Sequence, residues 1–182
     1  LEVVTKTRKP NFCTVFDVSQ MNRLELYQYN KQKLPISIDN PDNILSTQLE
    51  KIFPLNTKML KENKSLLSLV LDDKCQIVDD FIISNVDNEK YRFIVNANTT
   101  DKFIQKLQLY LPIGAKLEKK ESVILAIQGS RSQTFLENLL DTDLQDLYFM
   151  ENRTVPYLDT SLEISRCGYT GEDGFELYLN LN

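Results

Sequence analysis

A glycine cluster near one end of the sequence is the feature that most constrains the fold. Three of the chain's five glycines lie within seven residues, at Gly168, Gly171 and Gly174. Glycine permits positive φ and close approach of the backbone to another group. Apolar and polar residues alternate on both sides of the cluster, over 162–167 and 175–180. This period of two predicts two strands joined by a glycine-rich turn.

The predicted turn is longer than a two-residue hairpin connection needs, and it places Tyr169, Glu172 and Asp173 together. Most hairpins only connect strands, so a purely structural turn is one interpretation. Glu176 follows on the face of the second strand opposite Phe175. If the Phe175 face is buried in a core, Glu176 is either solvated or lines a cleft.

Composition excludes several classes of function. The 182 residues are enough for one sizeable core or two small lobes, and 21 basic against 26 acidic residues give a net charge of −5. This charge argues against nucleic acid as the main partner, and no apolar run reaches membrane-spanning length.

Histidine is absent, which excludes Ser-His-Asp, Cys-His and paired-histidine metal sites within this chain. Cys13, Cys75 and Cys167 are too far apart for a metal motif, and we expect isolated thiols in a reducing compartment.

Strands and helices are predicted to alternate irregularly, which favours an α+β fold with a mixed or antiparallel sheet and helices packed on one face. Residues 1–11 are polar and aperiodic, and we expect an exposed tail followed by one domain over 12–182. The predicted elements are strands on both sides of a polar bend at 17–20, a helix beginning near Asn43, a hairpin over 66–83, a strand over 91–95, a helix capped by Thr99 or Thr100, a solvated turn over 116–121, a strand over 123–127 and a helix capped by Ser130.

Two adjacent carboxylates, Asp79 and Asp80, interrupt an apolar strand. They point to opposite faces of that strand, and burying a lone carboxylate costs several kcal/mol unless it is paired, hydrogen-bonded or in a wet cavity. Alternatively, one aspartate points to solvent at a strand end and the other caps a bend.

Residues Arg166 to Glu176 read Arg-Cys-Gly-Tyr-Thr-Gly-Glu-Asp-Gly-Phe-Glu, which resembles the signature of the glycine cleavage system T-protein, a folate-dependent aminomethyltransferase. Weaker matches occur at Phe16–Met21, Asp79–Asp80, Asn96 and Gln128–Gly129. Gln20, Cys75-Gln76 and Ser130 stand where the family usually has histidine, Gly-Gly and proline. Since family members are about twice this length, the chain is similar to their N-terminal, folate-binding half.

The resemblance implies roles for five residues. Asp80 matches the catalytic aspartate of the family, and Glu176 is expected to accept hydrogen bonds from the amino-pyrimidinone edge of the pterin. Tyr169 and Met21 are expected to pack against the folate ring, and Asn96 to contact it. No metal is implied. These side chains are expected to converge on one cavity.

The implied reaction transfers an aminomethyl carbon from the lipoyl arm of an H-protein to tetrahydrofolate and releases ammonia. The implied partners are the H-protein and tetrahydrofolate, with no nucleic acid and no membrane. The implied compartment is the mitochondrial matrix in a eukaryote and the cytoplasm in a bacterium. Three alternatives stay open: the folate domain of a dimethylglycine or sarcosine dehydrogenase, a non-catalytic folate-binding relative, and a fragment without activity.

Overall fold

A computed structural model describes residues 2–30, 32–41 and 43–180 of the chain. The described residues form four α-helices and ten strands. In chain order they are α1 (Glu2–Thr7), β1 (Thr14–Asp17), β2 (Asn22–Gln28), α2 (Leu45–Ile52), β3 (Ser65–Leu71), β4 (Ile77–Val86), β5 (Lys90–Val95), α3 (Thr100–Gln108), β6 (Ala115–Lys120), β7 (Ser122–Gln128), α4 (Ser132–Leu140), β8 (Asn152–Tyr157), β9 (Thr160–Ser165) and β10 (Gly174–Asn180).

The chain divides into two compact units. Gln20–Lys120 form the central unit, and Leu1–Ser19 with Glu121–Asn182 form the terminal unit. Each unit is built on one five-stranded antiparallel sheet. The strand order is β3-β4-β5-β2-β6 in the central unit and β1-β7-β10-β9-β8 in the terminal unit. The predicted α+β class is confirmed, and its strands form two sheets.

In the central unit, α2 and α3 pack on one face of the sheet. Alternate residues of the strands supply the apolar side of this contact, because successive side chains of a strand point to opposite faces. An aromatic cluster lies at its centre, where Phe53 stacks on Phe103 with ring centroids 5.2 Å apart and Phe81 meets Phe103 edge-on at 5.0 Å. The buried residues of this core are Leu24, Leu26, Leu45, Leu49, Ile52, Phe53, Leu60, Val70, Phe81, Ile83, Tyr91, Phe93, Val95, Phe103 and Leu107.

The opposite face of the central sheet carries a buried charged group on β2. Glu25 is 2% exposed, and its Oε1 lies 2.5 Å from Arg23 Nη2. Lys90 and Lys120 are each 3.8 Å from the same carboxylate. Burial alone raises the pKa of Glu25, but the attraction of Arg23, the hydrogen bond from Tyr27 and the charge of Lys90 together lower it below its usual value.

In the terminal unit, α4 packs on one face of the sheet. Leu136 and Leu140 of the helix meet Phe175 and Leu177 of β10. The central strands β7 and β10 pair over their whole length, with Phe175 opposite Ile127. The other face of this sheet therefore carries the alternate residues of β10, including Glu176.

Most predicted elements are confirmed, including the helix after Asn43, the β3–β4 hairpin and the glycine-rich hairpin of β9 and β10. Two predictions are wrong. The charged segment over 116–121 belongs mostly to strand β6, which pairs with β2 at the edge of the sheet. The N-cap of α4 is Arg131 and not Ser130, whose hydroxyl accepts a hydrogen bond from the Asn11 N–H at 3.0 Å. Residues 2–7 form a short helix in which Thr7 is buried, whereas the sequence shows no period there. No helix of the described residues is long and apolar enough to cross a membrane.

Candidate functional site

Three of the five predicted site residues lie at one end of the central sheet. Pairing of Phe81 and Asn22 with the same residue, Val95, fixes the register of β4, β5 and β2. Asp80, Asn96 and Met21 are the next residues beyond these pairs. The antiparallel register therefore places them next to one another across β4, β5 and β2. Met21 and Asn96 are both half-buried.

The side-chain amide of Asn96 joins the two aspartates. Its Nδ2 donates to Asp79 Oδ1 at 2.8 Å and lies 3.3 Å from Asp80 Oδ1. Asn96 can reach carboxylates on opposite faces of β4 because it stands where β5 ends and the chain turns toward α3. The carboxylates therefore share one neutral donor.

The two aspartates differ in how fully they are satisfied. Asp79 also accepts a hydrogen bond from the Thr99 hydroxyl, so both of its oxygens have protein partners. Asp80 is half-buried, and within the described residues its only hydrogen bond is the 3.3 Å contact with Asn96. Leu69 lies directly across from Asp80 on β3. Of the pair, Asp80 is the carboxylate with an oxygen open to a further donor.

Thr99 occupies the N-cap position of α3, as predicted, but its side chain makes no capping hydrogen bond to the helix. Its hydroxyl donates to Asp79 instead. The Thr100 hydroxyl donates to the Asn96 carbonyl at 2.8 Å and accepts from Asn22 at 2.7 Å. The start of α3 thus holds Asn96 and Asp79 in place.

Glu176 lies in the terminal unit, in the middle of its sheet. It is 4% exposed and stands between Ser165 of β9 and Ala126 of β7. Tyr178 donates a hydrogen bond to Glu176 Oε2 at 2.7 Å, and this is the only partner of the carboxylate in the described part of the chain. A buried carboxyl group with a single hydrogen-bond donor still has lone pairs that can accept further N–H donors.

Ser165, the neighbour of Glu176 across the strand pair, is fully buried, and its hydroxyl has no hydrogen-bond partner among the described residues. Cross-strand partners in an antiparallel pair point to the same face, with Cβ atoms about 4.5–5.5 Å apart. A buried hydroxyl without a partner lowers the stability of a fold.

Two glycines of the cluster make room for Gln128, the last residue of β7. A Cβ atom at Gly168 would lie 2.6 Å from Gln128 Cδ and closer still to Oε1. At Gly174 it would lie 2.5 Å from Oε1 and closer to the rest of the amide. Gly171 differs, since its φ is +77° and the space around it is open. Close approach explains two of the glycines and positive φ explains the third.

Arg166 also fixes the glycine-rich loop in place through its side-chain contacts. Its Nε and Nη2 bind the two oxygens of Asp173 at 2.9 and 2.8 Å, which is the bidentate geometry of a strong ion pair. Nη1 donates to the Leu147 carbonyl at 2.8 Å, and the guanidinium lies 5.1 Å from the Phe175 ring centroid. The loop is therefore rigidly attached to the terminal sheet.

The structure brings together some of the predicted site residues. Asp80, Asn96 and Met21 share one end of the central sheet, whereas Tyr169 and Glu176 belong to the terminal unit, with the Tyr169 side chain 61% exposed. Convergence of the two sets stays a prediction. Among the described residues, no group of three His, Cys, Asp or Glu side chains could hold a metal ion.

Comparison of the sequence with known proteins identifies the family of this chain. The sequence model of the GCVT N-terminal domain matches residues 45–182. The chain belongs to the GCVT N-terminal domain family. The aminomethyltransferase of Natranaerobius thermophilus is 34% identical over 98% of this chain and 46% of its own length. The mitochondrial aminomethyltransferase of Mus musculus is 28% identical over 91% of this chain and 39% of its own length. The chain thus spans about half the length of the curated relatives it matches.

Solved structures agree on the fold. Aminomethyltransferase T of the glycine cleavage system from Bartonella henselae superposes with a TM-score of 0.79 at 24% identity, covering 99% of this chain and 45% of that one. The heterotetrameric sarcosine oxidase from Corynebacterium sp. U-96 gives a TM-score of 0.62 at 11% identity, covering 98% of this chain and 82% of that one. At these identities the likeness shows a shared fold.

Proposed function

We propose that this chain is the tetrahydrofolate-binding part of a glycine cleavage aminomethyltransferase. The curated relatives it matches are named aminomethyltransferases. In the proposed reaction, the carbon–sulfur bond between the aminomethyl group and the lipoyl arm of an H-protein breaks. The carbon bridges two nitrogens of tetrahydrofolate, ammonia leaves, and the arm returns as dihydrolipoyl protein, so the products include 5,10-methylenetetrahydrofolate.

One observation carries the proposal: Glu176 is a buried carboxylate whose single described partner is the Tyr178 hydroxyl. Its remaining lone pairs can accept hydrogen bonds from a ligand. The amino-pyrimidinone edge of a pterin presents adjacent N–H groups, which a carboxylate accepts as a pair of charge-assisted hydrogen bonds. Glu176 therefore offers an acceptor that fits the N–H edge of the pterin end of tetrahydrofolate.

Asp80 is the proposed catalytic carboxylate. When bound, tetrahydrofolate supplies the amine nitrogens that take up the one-carbon unit. The open oxygen of Asp80 would accept a hydrogen bond from one of these amines and so orient its lone pair toward the incoming carbon. Asn96 holds the Asp80 carboxylate from the other side, and it is also proposed to contact the ring.

Met21 and Tyr169 are proposed to pack against the flat ring system. The remaining rate enhancement would come from holding two reactants in a reactive geometry, an effect that needs no histidine. The proposed partner is the lipoyl arm of the H-protein. We propose the mitochondrial matrix as the compartment in a eukaryotic source and the cytoplasm in a bacterial one.

Titration of tetrahydrofolate into the protein at its natural length tests the binding role of Glu176. Glu176→Gln keeps the shape and the Tyr178 contact but removes the charge. We expect the dissociation constant to rise at least about tenfold, since hydrogen bonds to charged groups contribute about 1.5–3 kcal/mol, with no loss of thermal stability. Exposed Glu121→Gln is the matched control. Equal affinity in Glu176→Gln and wild type would remove Glu176 from the site.

An aminomethyl-transfer assay with lipoyl H-protein tests the catalytic role of Asp80. We expect Asp80→Asn to leave the melting temperature within a few degrees and to reduce turnover by about 100-fold or more, the usual contribution of a positioned acid or base. Asp73→Asn, in the exposed turn before β4, is the control. Normal turnover in Asp80→Asn would contradict the assignment. Folate binding without any transfer by wild type would favour a non-catalytic folate-binding relative.

A further inference from the structure

One side chain holds the backbone on both sides of Tyr169. Gln128 Nε2 donates to the carbonyl of Cys167 at 3.0 Å, two residues before the tyrosine. On the other side, the Thr170 hydroxyl donates to Gln128 Oε1 at 2.9 Å. Both ends of the Gln128 amide are thus used within a span of four residues that has Gly168 and Tyr169 at its centre.

Gln128 is itself firmly fixed. It is 2% exposed and ends β7, an inner strand, where its backbone pairs with Thr14 on one side and Gly174 on the other. The missing side chains of Gly168 and Gly174 leave a gap that the Gln128 amide fills. A side chain locked by packing and hydrogen bonds is a suitable support for a residue that must be held in a precise position.

Tyr169 needs such support because its side chain is 61% exposed. An exposed ring on a loop loses conformational freedom when a ligand packs against it, and this loss weakens binding. Fixing the backbone on both sides of the ring beforehand removes part of that loss.

We propose that Gln128 is a positioning residue for Tyr169, which acts on ligand binding through the loop and does not touch the ligand. This inference rests on the proposed function, in which Tyr169 packs against tetrahydrofolate. It assigns the conformation of the glycine-rich loop to a residue that lies 41 positions earlier in the sequence.

A double-mutant cycle in tetrahydrofolate affinity tests the proposal. Gln128→Met keeps a side chain of similar length and removes both hydrogen bonds, and we expect it to raise the dissociation constant about fivefold. Tyr169→Ala is expected to raise it about tenfold. The double variant should bind about as weakly as Tyr169→Ala alone, because Gln128 acts only through that ring. Independent effects would multiply to about fiftyfold.

A milder variant covers the case in which Gln128→Met does not fold. Thr170→Val leaves the Gln128 bond to the Cys167 carbonyl in place and removes the hydroxyl that donates to Gln128 Oε1 and accepts from the Glu172 N–H at 3.3 Å. We expect it to weaken binding about threefold and to add nothing in the Tyr169→Ala background. Thr134→Val, at an exposed position of α4, is the matched control and should bind as wild type does.

Each outcome is decisive. Multiplicative effects in both cycles, or unchanged affinity in Gln128→Met or Thr170→Val, would overturn the positioning role while leaving the proposed function intact. Wild-type affinity in Tyr169→Ala, or no binding by the wild type, would overturn the folate role of Tyr169 and this inference with it.

Discussion

Adding one methyl group at Gly174 tests why the loop contains glycine at this position. The φ of Gly174 does not lie in the left-handed region, so alanine meets no backbone strain there. The obstacle is the Gln128 amide, whose Oε1 would lie 2.5 Å from the new Cβ, with the other amide atoms closer. Non-bonded heavy atoms normally stay about 3.5–4.0 Å apart. The amide must therefore move by roughly 1 Å or more.

The expected cost follows from what Gln128 would lose. Moving the amide breaks its hydrogen bond to the Cys167 carbonyl, and an unsatisfied buried group costs about 1–3 kcal/mol. Overpacking adds about 1–3 kcal/mol. We expect Gly174→Ala to lower the free energy of unfolding by about 2–6 kcal/mol in the wild-type background. In the Gln128→Ala background, Gly174→Ala should lower the free energy of unfolding by less than about 1 kcal/mol, since the Gln128 amide is no longer present.

Urea unfolding followed by circular dichroism measures the four free energies of this cycle. Gly171→Ala is the internal control, because its cost arises from positive φ with nothing nearby. Gly171→Ala should lower the free energy of unfolding by about 1–2 kcal/mol, equally in the wild-type and Gln128→Ala backgrounds. If Gly174→Ala were equally costly with and without Gln128, the packing explanation for this glycine would be refuted.

Further expected outcomes concern buried polar groups. Glu25→Gln should lower the free energy of unfolding at pH 7 by about 3 kcal/mol, since it removes the charge paired with Arg23. Because folding lowers the pKa of Glu25, its contribution is present above the unfolded pKa of about 4.3 and is lost as pH falls through the folded pKa. Urea titrations of wild type and variant should therefore converge toward pH 3, and a constant gap would contradict this. Ser165→Ala should raise the melting temperature, because its hydroxyl is buried without a described partner. Ser84→Ala should lower it, because that hydroxyl is hydrogen-bonded to Ser65 at 2.8 Å. Equal shifts in thermal melts would argue against this distinction.

Local patterns predict the parts of the fold whose determinants are close in sequence. Alternation around the glycine cluster predicts β9 and β10, because each strand directs its apolar residues to one face, where they join the core of the terminal unit. The aspartates of β4 stand out because carboxylates are rare inside apolar strands, and the structure indeed gives them a shared donor, Asn96. The sequence could not rank Asp79 and Asp80 without the family resemblance. Their different hydrogen bonding provides a physical basis for choosing Asp80.

Long-range determinants could not be read from the sequence. The segment over 116–121 is rich in charge because β6 is an edge strand, where charged side chains are common. Its partner β2 lies about 90 residues earlier, so no local signal marks the pairing. Likewise, Gly168 and Gly174 are required by Gln128, about 40 residues away.

The turn before β4 shows how one departure from the family pattern is accommodated. Cys75, which the resemblance places where the family usually has glycine, adopts φ of +60°. The side chain of Asp72 supports this turn by accepting hydrogen bonds from the backbone N–H groups of Lys74 and Gln76, both at 2.8 Å. The left-handed conformation that glycine favours is thus kept by a residue that adopts it at some cost.

A structure of the protein at its natural length with tetrahydrofolate bound tests the central claim most directly. We predict that the N–H groups of the amino-pyrimidinone edge lie about 2.7–2.9 Å from the carboxylate of Glu176, the range of charge-assisted hydrogen bonds. A pterin bound away from Glu176, with that carboxylate still paired only with Tyr178, would contradict the account.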